Sequence, residues 1–145
     1  MTGFVRSLGA VLLGIVVGVV VIMAMEGFSS LAYPLPEGVD PADPESLAAY
    51  MPLMPVGAFL IVLVGWGLAA LVGGWIASRL AFSRPVLSGL IAGAVLLLGG
   101  VVNMVSLSNP WWFVTVAVPL FPLCALLGAS AAVRSRPVRG KMQLL

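Results

Sequence analysis

Four stretches of the chain are almost free of polar side chains: about residues 8–31, 54–77, 86–107 and 111–133. A transmembrane helix needs about 20 mostly apolar residues, and each stretch meets that length. None shows the shorter polar–apolar alternation of a membrane β-strand. Backbone groups in hydrocarbon must be satisfied within their own segment, so these stretches are expected to be helices. The pattern therefore predicts an all-α polytopic membrane protein. Its single domain, residues 1–145, is a compact bundle of four transmembrane helices.

The polar residues fall between these stretches, and their signs alternate in space. Arg6 precedes the first span, Arg79 and Arg84 separate the second from the third, and Arg134, Arg136, Arg139 and Lys141 follow the fourth. With four spans, all of these positions lie on one side. Glu26, in the continuation of the first span beyond Met25, and Glu37, Asp40, Asp43 and Glu45, ahead of the second span, all fall on the opposite side. Short loops rich in Lys and Arg stay cytoplasmic. Both termini are thus expected inside an inner, cytoplasmic membrane, with a basic cytoplasmic tail at 134–145 and an external loop at 33–52. A second external loop, Ser108-Asn109-Pro110, is very short. The first span also admits another reading. Arg6, the apolar run and the small residues Ser30 to Ala32 resemble a cleavable signal peptide.

Within the acidic loop, Asp43-Pro44-Glu45 reads as a helix start. Asp43 caps free N–H groups, Pro44 suits the first helical position, and Glu45 favours the positive end of the dipole. A short external helix would carry Leu47, Tyr50 and Met51 towards the membrane surface. The proline-rich piece from Pro34 to Pro41 should be extended. Asp40, Asp43 and Glu45 do not match a calcium-loop spacing, so no metal ligands are assigned.

Composition narrows the function classes. Apolar residues make up 61% of the chain and charged residues 8%, against roughly 25% charged in a soluble domain. The net charge of +2 comes from residues placed by membrane orientation. No basic patch is interleaved with aromatics, so no nucleic-acid partner is expected. There is no histidine, and the one cysteine, Cys124, reads as a small buried hydrophobe. Nucleophile–base pairs and ligand clusters cannot be assembled inside such a bundle, so no enzyme, catalytic residue or cofactor is expected.

Lipid tails do not drive helices together, so small residues that permit close approach must do so. The first span offers Ala10, Gly14 and Gly18; the second Gly65, Ala69, Gly73 and Ala77; the third Gly89 and Gly93, with Gly100 further on; the fourth Cys124, Gly128 and Ala132. Spacing of four places each set on one face. These rows suit packing within the bundle or the seam of a homo-oligomer. Pro119 and Pro122 lie inside the fourth span and predict a kink. Trp111 and Trp112 suit one membrane interface and Trp75 the other. Trp66, in mid-span, needs either a partner for its N–H or contact with a cavity.

Few polar residues remain. Glu26 falls near the outer interface, and Asn103, Ser106 and Thr115 lie towards the same end of their spans. They are the candidates for an outward-facing polar pocket; the alternative for Asn103, Ser106 and Thr115 is interhelical hydrogen bonding.

The loop "PLPEGVDPADPESLAAYMP" and the later "LLLGGVVNMVSLSNPWWF" resemble a widespread group of small bacterial four-helix membrane proteins. The similarity is carried by Pro36-Glu37-Gly38-Val39-Asp40 and by Gly99 to Asn103 with Trp112-Phe113. It spans most of the chain and implies the four-helix topology. That group has no assigned activity, so the resemblance supplies no function. A polar site with a histidine on the second helix also goes with the group; here that helix centre reads Gly65-Trp66-Gly67, without histidine. Two functions are expected from the sequence. The first is a structural or accessory role, as a subunit alongside a membrane-protein partner. The alternative is a small transporter or channel component for an apolar or weakly polar solute, using Glu26, Asn103, Pro119 and Pro122. Beyond these, the lipid bilayer itself is the expected partner.

Overall fold

The computed structural model describes residues 2–107 and 109–135. Ser108 and the residues beyond 135, including Arg136, Arg139 and Lys141 of the expected tail, lie outside the described residues. The order is α1 (Thr2–Ala32), α2 (Pro44–Tyr50), a 3₁₀ turn (Met51–Leu53), α3 (Val56–Leu80), α4 (Pro85–Ser106) and α5 (Trp111–Arg134). Four of these helices, α1, α3, α4 and α5, are long and apolar enough to cross a membrane. No strand occurs among the described residues. The fold is an all-α bundle.

Helix α1 begins ahead of the apolar run, because nothing between Thr2 and Leu8 breaks a helix. Its 31 residues reach about 46 Å, which exceeds a hydrocarbon core of roughly 30 Å. Helix α5 runs unbroken through Pro119 and Pro122. Each proline withholds one N–H, so the carbonyls of Thr115 and Val118 lose their usual donor.

Helix α3 is the centre of the bundle and packs on α1, α4 and α5. Its row of small residues at intervals of four faces α1. A Cβ on Gly14 would lie 2.5 Å from the Gly73 carbonyl oxygen, and one on Gly73 would lie 2.7 Å from that of Gly14. The two backbones therefore touch. Ala69 and Ala77 flank this crossing, Gly18 meets Leu96 as well as Ala69, and Gly65 receives Met25. The opposite side of α3 meets α5 as closely. A Cβ on Gly74 would lie 2.8 Å from the Ala125 carbonyl oxygen, and one on Gly128 would collide with the Leu71 carbonyl. Gly89 and Gly93 of α4 pack against Ser78 and Gly74 and against Ala125. Small residues on two faces of α3 thus let one helix be gripped by its neighbours. Cys124 is half-buried beside the core, not fully inside it.

The ends are tied by local hydrogen bonds. Asp43 caps α2 by accepting from the Glu45 and Ser46 N–H groups at 3.1 and 3.3 Å. Asp40 accepts from the Ala42 N–H at 2.8 Å. These loop carboxylates thus serve the backbone of their own turn. Met51 departs from expectation. It is buried and joins the core cluster with Phe59 and Phe113, so this residue turns into the end of the bundle. At the other end, the Ser7 hydroxyl accepts from the Phe82 and Ser83 N–H groups at 3.2 and 3.3 Å, pinning the α3–α4 turn to α1. In that turn Arg84 takes a left-handed conformation, so the chain reverses before Pro85 opens α4.

Candidate functional site

Between α1 and α4, towards the end of the bundle that carries the acidic loop, the helices part. The cleft has a volume of about 420 Å³ and is walled by Ile15, Val19 and Ile22 of α1 and by Val95, Leu96, Gly99 and Gly100 of α4. Trp66 of α3 forms its floor, and Glu26 and Asn103 provide its polar groups. A second cavity of about 220 Å³ continues from Glu26 and Asn103 towards Tyr33, Met51 and Asn109, under the loop. From Ile15 to Glu26 the first wall rises about 16 Å along α1. The two spaces therefore run from the depth of the bundle to its loop end.

The sequence explains why a gap opens here. Below it, Gly14 and Gly73 draw α1 onto α3. Above it, the adjacent Gly99 and Gly100 remove two side chains from α4. A Cβ on Gly99 would meet nothing within 4 Å, whereas one on Gly100 would press on Phe121 at 3.1 Å. Gly100 thus seats the aromatic floor, and Gly99 leaves space beside it.

Trp66 is 2% exposed and is fixed by its neighbours. Its ring lies 5.3 Å from that of Phe113 and 5.4 Å from that of Phe121, in edge-on and tilted geometries. Such pairs are worth about 0.5–1.5 kcal/mol beyond area burial. Phe59 and Trp112 extend the cluster towards the loop end. The indole N–H of Trp66 is nevertheless buried without a hydrogen-bond partner. Its neighbouring acceptor is the Glu26 carboxylate, which lies beside it without meeting it in full hydrogen-bonding geometry. Leaving a buried donor unpaired costs about 1–3 kcal/mol. Native proteins accept that cost rarely, and mostly where strain, a functional role or a bound water or ion accounts for it.

The four candidate polar residues separate. Glu26 and Asn103 line both cavities. Ser106 and Thr115 are exposed on the outside of the bundle and line neither of these two cavities. Three residues on from Asn103 is about 60° round the helix, enough to turn Ser106 outward. Thr115 lies one turn after Trp111, which is 80% exposed, and shares its outward face. Its hydroxyl donates to the Trp111 carbonyl of the same helix at 2.8 Å. Pro119 and Pro122 do not line the cleft either.

Sequence reasoning missed the apolar walls of the cleft, because Ile15, Val19 and Val95 are ordinary residues of membrane helices. The signal that could have found it was the coincidence of an amphipathic Trp in mid-span with a Gly-Gly pair on another span. No group of three or more His, Cys, Asp or Glu side chains placed to hold a metal occurs among the described residues.

No protein-family model, curated protein or solved structure matches the chain.

Proposed function

We propose that this chain is a small multi-pass protein of a bacterial inner membrane, with both termini cytoplasmic. It binds an apolar or weakly polar solute in the α1–α4 cleft as part of a transport or carrier system, and it is not an enzyme. The observation that carries this reading is the buried, unpartnered Trp66 N–H on the floor of an otherwise apolar cleft that also holds Glu26 and Asn103. Ligand sites are typically concave, mostly apolar and furnished with a few convergent polar groups, in volumes of about 300–1,000 Å³. The cleft has that character. Basic residues at one end and acidic residues at the other support the orientation.

The accessory role suggested by the sequence remains as a second reading. It is favoured by α1, the least covered of the four long helices, whose outward apolar face offers a partner helix a surface.

Native mass spectrometry after gentle extraction distinguishes the two. Wild-type protein is expected to retain a small molecule. A Gly99→Leu variant, whose added side chain enters the open space beside Gly99, is expected to fold and to lose that mass. A bare protein mass in both would count against solute binding. A reproducible second protein in both would establish the accessory reading instead.

A further inference from the structure

The polar groups of the cleft are of three different kinds, and together they define what can occupy it. An ionised carboxylate only accepts hydrogen bonds, and an indole N–H only donates. Glu26 therefore asks its occupant for a donor, best one that carries positive charge. Trp66 asks for an acceptor, since its N–H meets no protein acceptor in hydrogen-bonding geometry although the Glu26 carboxylate lies beside it. Asn103, which offers both a donor and an acceptor, stands at the junction of the two cavities. The rest of the wall, from Ile15 up to Ile22 on α1 and at Val95 and Leu96 on α4, is hydrocarbon.

Position adds a second constraint. Glu26 lies six residues before Ala32, the last residue of α1, or about 9 Å below that helix end. A charge at this depth sits near the interface and not at the bilayer centre, where it would be far more costly. The apolar wall continues from Glu26 towards mid-membrane. A ligand would thus place its head at Glu26 and its tail downward, as amphiphiles lie in a leaflet.

We propose that the cleft takes a single-chain amphiphile whose head joins a cationic amine to a neighbouring oxygen acceptor, as in an amino alcohol. The amine pairs with the Glu26 carboxylate, the oxygen accepts from the Trp66 N–H, and the alkyl chain runs down between α1 and α4. This assignment rests on the solute-binding reading above and narrows its solute class.

The test uses the full chain, ¹⁵N-labelled in lipid nanodiscs, and follows the Trp indole N–H signals by NMR, with Trp66 assigned from Trp66→Phe. Three probes share a twelve-carbon chain: N-dodecylethanolamine, 1-dodecanol and dodecanoate. The amino alcohol is expected to shift the Trp66 signal saturably. The plain alcohol is expected to bind about tenfold more weakly or worse, the worth of one charge-assisted hydrogen bond. Dodecanoate, repelled by Glu26, is expected to leave the signal unmoved. Glu26→Gln is expected to erase the preference for the amine while the alcohol still binds. If the three probes bind equally, or the preference survives in Glu26→Gln, the assigned head chemistry is wrong but the cleft still binds solutes. If no probe moves Trp66 in the wild type, both the assignment and the solute-binding reading fall. Should Glu26→Gln not fold, the ranking of probes on the wild type decides.

Discussion

Gly128→Val is expected to destroy the folded bundle. A Cβ at Gly128 would collide with the Leu71 carbonyl, and it would also stand 3.0 Å from the Trp75 nitrogen. Both obstacles are backbone of α3, so no rotamer change relieves them. The α3–α5 crossing would have to open, and the reciprocal contact of Gly74 with Ala125 would open with it. Overpacking a filled core costs typically 1–3 kcal/mol; a β-branched side chain forced against helix backbone belongs at about 3 kcal/mol or above. Thermal unfolding in a mild detergent, followed by size-exclusion chromatography, reads the effect. Aggregation or a greatly lowered midpoint is expected. Gly99→Leu provides the control, since its side chain enters open space and should leave the midpoint nearly unchanged. A Gly128→Val protein as stable as the wild type would mean that α5 does not lie against α3 as described.

The second large effect is expected at Trp66, where two substitutions divide structure from binding. Trp66→Ala removes the residue that stacks on both Phe113 and Phe121. Deleting a buried large aromatic costs about 3–5 kcal/mol, so Trp66→Ala should be strongly destabilised. Trp66→Phe keeps a ring in the same place and deletes the unpartnered donor. Its stability should fall by clearly less than that of Trp66→Ala, because most of the ring is kept and an unpaired buried N–H is removed. Solute retention should nonetheless weaken in Trp66→Phe. If Trp66→Phe is as damaging to stability as Trp66→Ala, the N–H serves the fold, and it no longer argues for a ligand.

Much of this architecture is legible in the sequence because hydrocarbon imposes few solutions. The bounds of α3, α4 and α5 follow the hydropathy pattern, and Asp43-Pro44-Glu45 starts α2 by ordinary capping. Small residues at intervals of four mark the α1–α3 crossing through Gly14 and Gly73. What the pattern cannot supply is the pairing of faces. All four spans carry small residues, so nothing in spacing alone says that Gly74 meets Ala125 while Gly73 meets Gly14. The outward turn of Ser106 and Thr115 was hidden for the same reason: a rotation of about 60° decides between cleft and outer surface. Met51 was placed too far out because its burial depends on Phe59 and Phe113, which come from two other helices. Trp66 was the exception. A mid-span indole must settle its N–H, and the structure answers with a cavity in place of a partner.

The most direct test of the account is an experimental structure of the full chain in lipid nanodiscs prepared from its source membrane. Ordered non-protein density is expected between α1 and α4, in contact with the Trp66 N–H and reaching Glu26 and Asn103. A structure in which α1 closes onto α4, the Glu26 carboxylate accepts directly from Trp66 and no density lies between them would contradict it.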